Sequence, residues 1–282
     1  MNKKVKIILL AIFGAIILIC AGLLIKNFFG YQSGDTAYED AVNAATAEKT
    51  ESEQTAEKTE SEQTCETDDV LPENNIELWV PIDIESDAHM EKLASVNIVS
   101  LQEKNKDVVG WIQIPGTKID YPMVQGEDNT YYLEHVWDGK ENFVGSIFLE
   151  CQNSSDFTDW NTIIYGHNMV NGSMFGSLKK YKDPEYFQKH PYIYIVIEGG
   201  VLRYEIFSAY TAEVDSQTFG LSYHQMETRE KFIDMAIQNS DIDTGIIPAP
   251  TDQIITLSTC SGDSYATRQV IHARLPMIKI EQ

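Results

Sequence analysis

The sequence predicts a mostly β fold, a closed or nearly closed barrel of eight short strands, standing behind a hydrophobic N-terminal helix. Three observations predict it. Eight runs rich in β-branched and aromatic residues lie within residues 108–275, each punctuated by Gly, Pro or Asn. Residues 5–25 are almost wholly Ile, Leu, Ala, Phe and Gly. Between these regions the composition turns acidic, with thirteen Asp and Glu against two Lys over residues 35–73.

Taken in order, the first element is the apolar run. Twenty-one residues at roughly 1.5 Å each reach about 30 Å, the thickness of a bilayer core. Lys3, Lys4 and Lys6 stand at its entry and Lys26 at its exit, while acidic residues begin only at Asp35. That asymmetry predicts a cytoplasmic N-terminus (residues 1–26 form the tip and signal anchor) and an exported remainder, in a single-pass protein of the cell membrane. A cleaved signal peptide is the rival reading. The run exceeds the usual apolar core of such peptides, and no small-x-small site follows it. Ile19 before Cys20 is branched where a lipoprotein site needs a small residue.

Residues 27–85 are expected to be an acidic, disordered stalk. Within them TAEKTESEQ occurs twice in tandem, over residues 46–54 and 55–63. Such a segment buries too little apolar surface to offset its ordering entropy. The folded part spans residues 86–282. Met90, Leu93, Val96 and Val99 recur at three-residue steps and predict an N-terminal amphipathic helix. The eight runs follow, at 108–114, 121–125, 146–151, 162–165, 192–198, 201–214, 253–260 and 267–275. Glu198-Gly199-Gly200 suits a hairpin turn. Two helices are expected between strands, one marked by Met174, Phe175, Leu178 and Tyr181, the other over 227–239. The net charge of −22 argues against nucleic acid, whose phosphates need a basic footprint. Four cysteines in 282 residues are too few for a disulfide scaffold.

Chemistry is sought among the cysteines and histidines. Cys20 lies in the apolar span and Cys65 in the stalk. Cys151 and Cys260 each end an apolar run, where a cysteine is more often a small hydrophobe than a nucleophile. In an exported protein the two could also pair. His167 follows the run 162–165 through Gly166, at a strand end that can reach a cleft. His272 alternates with Val270, Arg268 and Arg274 on one strand face and competes with it. A thiol is mostly protonated at neutral pH, an imidazole can take its proton, and a fixed guanidinium can stabilise a developing oxyanion. Cys260, His167 and Arg268 could meet at one end of a barrel.

At these residues the chain resembles the sortases. Thr256-Leu257-Ser258-Thr259-Cys260, with Arg268 eight positions on and Val270-Ile271-His272 after it, resembles the class B signature. Ile163-Ile164-Tyr165-Gly166-His167-Asn168-Met169 is similar to the family's histidine segment. Val109-Gly110-Trp111-Ile112, Ile119-Asp120-Tyr121-Pro122 and Asp128-Asn129-Thr130-Tyr131-Tyr132-Leu133 resemble the class as well. The likeness covers roughly residues 86–282. It implies an eight-stranded barrel with a helix between the sixth and seventh strands. It also implies Cys260 as nucleophile, His167 as general acid and base, and Arg268 as stabiliser of substrate and oxyanion. His272 and Arg274 become structural. No metal or other cofactor is expected, since Asp215, Glu227, Glu230 and Asp234 form no Ca²⁺ loop pattern. Asp263, between Cys260 and Arg268, is expected to be an exposed loop residue. The implied reaction is transpeptidation, with cleavage after Thr in a C-terminal sorting motif of surface proteins. A thioester on Cys260 then passes to an amine of a peptidoglycan precursor in a Gram-positive-type cell wall, and hydrolysis is the side reaction. The membrane, through residues 5–25, is the third partner.

Four other readings remain at this stage. A papain-like thiol protease or hydrolase would place its Cys before its His and at a helix start. An L,D-transpeptidase would show an arginine two positions after its Cys. A pilin-polymerising sortase shares the chemistry and differs in the amine, and a tethered binding domain would make Cys260 structural.

Overall fold

A computed structural model of the chain describes residues 3–46, 79–82, 85–262 and 264–279. The repeats, Cys65 and Asp263 lie outside the described residues. In chain order the elements are α1 (Lys3–Ala45), β1 (Trp79–Pro81), α2 (Ala88–Leu93), α3 (Ile98–Gln102), β2 (Val108–Gln113), β3 (Asp120–Val124), β4 (Ile147–Leu149) and β5 (Asn161–Tyr165). They continue with α4 (Pro184–Lys189), β6 (Tyr192–Ile197), β7 (Gly200–Glu213), α5 (Met226–Asn239), β8 (Gln253–Cys260), β9 (Thr267–Leu275) and β10 (Met277–Lys279). The eight expected runs are β2 to β9. They close into a barrel in the order β2-β3-β4-β5-β8-β9-β7-β6. The pairs β3–β4 and β5–β8 are parallel and the others antiparallel. A small two-stranded sheet, β1 with β10, was not anticipated.

Why these runs read as nearly continuous apolar sequence is visible in β8. Ile255 and Leu257 join the main core with Ile271 and Ala273 of β9. Ile254 faces the other way, into a second cluster with Val270, Trp160, Phe207 and Phe232, Ile233 and Ala236 of α5. Both faces of the strand are therefore covered, and neither needs polar residues. The helix expected over 227–239 is α5, between the sixth and seventh barrel strands.

Two expected helices differ. The N-terminal one is two short helices, because Asn97 accepts from the Ser100 amide (3.1 Å) and starts α3 anew after α2, itself capped by Asp87. Ile98 and Leu101 take the buried positions while Val99 faces solvent. The segment marked by Met174 is tight turn and 3-10 helix (Leu178–Lys182) rather than α-helix. Met174 itself adopts a left-handed φ of 50°. Its apolar residues are fully buried all the same, so the pattern reported burial and not periodicity.

The largest departure is α1. Residues 27–45, assigned above to the stalk, continue the apolar helix without a break. Residues 12–45 form a candidate membrane span by length and composition, with a mean hydropathy of 2.2 in its most apolar window. The end of the helix packs on the barrel, burying Ala37, Tyr38, Ala41, Ala44 and Ala45. Small side chains let the backbone approach closely, and apart from Tyr38 the buried positions carry only alanine and glycine, which do not read as an amphipathic face.

His272 lies fully buried under α5, between Thr256 Oγ1 (2.9 Å from Nδ1) and the Tyr210 hydroxyl (3.2 Å from Nε2). Burial lowers its pKa to about 3. The unfolded chain protonates this imidazole below about pH 6.5 while the folded chain does not. Its neutral form therefore supports the fold fully above pH 6.5, and stability falls as pH drops from there toward 3. The expected slope is up to about 1.4 kcal/mol per pH unit in that window. Urea midpoints of wild type and His272→Gln between pH 4 and 7 test this, and equal slopes would refute it.

Candidate active site

The geometry of the site begins with strand register. β5 and β8 run parallel, with Tyr165 opposite Ser258. Two residues further on, His167 and Cys260 therefore leave neighbouring strand ends side by side. Two hydrogen bonds continue the pairing past the strands: the Gly166 amide donates to Ser258 O (3.2 Å), and Asn168 Nδ2 donates to Cys260 O (2.8 Å). Glycine suits position 166 at this step, since a Cβ there would press on the Phe175 ring (2.9 Å) as well as on Ile147 Cδ1 (2.5 Å). On the other side of β8, Cys260 pairs directly with Arg268 of β9. Alternation then puts both side chains on the outer face that also carries Ser258 and Val270. The three residues, 93 and eight positions apart along the chain, meet at one rim of the barrel.

Each of the three is accessible. Cys260 is exposed, and His167 and Arg268 are half-buried. His167 Nε2 lies 2.7 Å from the Leu133 carbonyl oxygen. A carbonyl can only accept, so Nε2 carries the hydrogen and the neutral ring keeps its lone pair on Nδ1. Arg268 Nη1 donates to the Tyr265 and Thr267 carbonyls, both at 3.0 Å. Cys151 and Cys260 are free thiols, which removes the disulfide alternative. Burial and then the neighbouring Glu150 carboxylate push the Cys151 thiol up, away from the nucleophilic thiolate.

The competitors are engaged elsewhere. His272 is sealed under α5. Arg274 is held by Glu205 (2.8 Å) and Asp252 (3.2 Å). Among the described residues no group of three or more His, Cys, Asp or Glu is arranged to hold a metal.

Sequence reasoning missed a polar network beside the site. Glu150, 5% exposed, accepts from Asn129 Nδ2 (2.7 Å) and the Tyr165 hydroxyl (2.9 Å). Burial opposes its charge, but these hydrogen bonds, with those from Cys151 and the Gln152 amide, hold its pKa below the usual carboxylate range. For the Tyr165 hydroxyl, burial and the Glu150 charge push the pKa up, and Arg268 pulls against them. A signal existed in the sequence: an acid closing the apolar run Ile147-Phe148-Leu149 needs a buried partner.

Comparison with known proteins agrees with this geometry. A sortase-domain family model matches residues 112–276. Sortase B of Listeria monocytogenes is 40% identical over 179 residues, covering 62% of this chain and 72% of that protein. Among solved structures, Clostridium perfringens sortase B superposes with a TM-score of 0.60 at 33% identity, covering 66% of this chain and 100% of that one. A Staphylococcus aureus sortase B–substrate complex gives a TM-score of 0.60 at 32% identity, covering 65% and 85%. With the closed barrel and the cysteine, histidine and arginine at one rim, these likenesses establish that the chain belongs to the sortase family of cysteine transpeptidases, in its class B branch.

Proposed function

We propose that Cys260 is the nucleophile, His167 the general acid and base, and Arg268 the group that steadies the substrate carbonyl as it becomes an oxyanion. The observation that carries this reading is the register that sets His167 beside Cys260 and Cys260 opposite Arg268. Cys260 loses its proton to the imidazole and attacks the carbonyl carbon of a Thr in a C-terminal sorting motif. The tetrahedral oxyanion forms beside the Arg268 guanidinium. The C–N bond breaks, the leaving amine takes the proton held by His167, and a thioester remains on Cys260. An incoming amine from a peptidoglycan precursor attacks the thioester and gives its proton to His167. The new amide leaves and the thiol is restored. Water in place of the amine yields slow hydrolysis.

The apolar helix supports a membrane-tethered enzyme, with its N-terminus in the cytoplasm and its barrel outside the cell. Such an enzyme meets an exported substrate and a lipid-linked precursor at one surface, as a Gram-positive-type wall requires. The test is cleavage of a C-terminal peptide library read by mass spectrometry, with and without added amines. The expected result is cleavage after Thr and capture of the new carboxyl end by the amine. Absence of any cleaved Thr-containing peptide, or release by water alone at every amine concentration, would refute transpeptidation.

A further inference from the structure

One of the α1 residues that pack on the barrel, Tyr38, does so at the loop beside His167. Tyr38, 9% exposed, donates its hydroxyl to the Gly145 carbonyl at 2.6 Å. Gly145 has a left-handed φ of 63° and sits so close to the histidine that a Cβ there would lie 2.9 Å from His167 Cδ2. The same Cβ would meet the Leu133 and Tyr132 carbonyls at 2.7 and 2.8 Å. The Gly145 backbone is thus clamped between the Tyr38 hydroxyl on one side and the imidazole and its Leu133 partner on the other. A second path reaches the other flank of the histidine. The Tyr38 ring meets Tyr121 edge-on (4.9 Å between centroids), and the Tyr121 hydroxyl accepts from the Met174 amide at 3.3 Å. The next residue, Phe175, donates its amide to the His167 carbonyl at 3.0 Å.

From this clamp we infer that Tyr38 is a positioning residue for His167: the helix entering from the membrane side orients the imidazole, so the ring is correctly presented only when α1 is docked. The inference rests on the proposed role of His167 and adds a second task to the anchor. An anchor needs only apolar length. A buried tyrosine hydroxyl aimed at the backbone that packs on the imidazole serves no anchoring purpose.

The test uses the full chain in lipid nanodiscs, with iodoacetamide alkylation of Cys260 from pH 5 to 9 and ¹⁵N-histidine NMR of His167. Tyr38→Phe keeps the ring and removes the hydroxyl. The expected result is an altered Nδ1/Nε2 tautomer signature for His167 and alkylation at pH 7 slower by about fivefold, the equivalent of one buried hydrogen bond. Trp137→Phe removes a different buried bond to the same helix, from Trp137 Nε1 to the Ala37 carbonyl (2.7 Å), and should leave the His167 signature as in wild type. A wild-type His167 signature in Tyr38→Phe would overturn the inference, as would the same change in a Trp137→Phe protein whose α1 amide resonances show the helix still docked. His167→Ala separates the underlying reading. If it leaves the alkylation profile unchanged, the imidazole does not serve the thiol, whereas the NMR arm still reports whether Tyr38 orients the ring.

Discussion

Cys260→Ala is expected to abolish peptide cleavage, with a loss of at least about 10³-fold, because among the described residues no other thiol stands at this rim to form the thioester. The substitution should not unfold the protein. Cys260 is exposed at the last position of β8, so trimming its sulfur opens no cavity in the core. Its backbone carbonyl, which accepts from Asn168, is unchanged. Cys151 is a poor replacement, since burial and Glu150 disfavour its thiolate. The measurements are the mass of the acyl-enzyme trapped with a sorting-motif peptide and a thermal melt of each variant. Cleavage within tenfold of wild type in a folded Cys260→Ala protein would disprove the nucleophile and with it the enzymatic mechanism.

Arg268→Lys should lower kcat/KM by about 10²–10³, the usual cost of removing an oxyanion donor, although the charge is retained. Arg268 spends Nη1 on the Tyr265 and Thr267 carbonyls, while among the described residues its Nε and Nη2 have no hydrogen-bond partner. A planar fork can hold the loop after Cys260 and face a substrate oxygen together. An ammonium on a flexible stem can do one or the other. The kinetic signature separates the roles: a stabiliser of the oxyanion loses kcat, while a group that only binds the sorting motif raises KM. Turnover near wild type would remove Arg268 from the mechanism.

Much of this was legible in local sequence. The strands of the barrel were readable because they are short runs of β-branched and aromatic residues, covered on both faces, and their ends carry turn residues. The candidate triad was readable because the resemblance rests on several separated motifs, each of them local. The helix around Met174 was misread because burial of Met174, Phe175, Leu178 and Tyr181 arises from tight turns pressed on the core, which imitate a helical stripe. Glu150 was passed over because its partners, Asn129 and Tyr165, lie 21 and 15 residues away and on other elements.

The division between sequence and tertiary structure is clearest in α1. Its first half declares itself by hydropathy alone, a property of each residue summed along the chain. Its second half, with Gly, Ala, Thr, Asp and one buried Tyr, has no local pattern that separates it from a spacer. Docking depends on the fit of small side chains to a loop a hundred residues onward, with Trp137 bonded to Ala37 and Tyr38 to Gly145. By itself the sequence determined the strands, the apolar span and which residues could do chemistry, since those follow from neighbours in the chain. Barrel closure decided that sulfur, imidazole and guanidinium share one rim, and tertiary packing brought the end of α1 to Gly145, the neighbour of the histidine. Strand order and close packing join distant positions, and no local period encodes them.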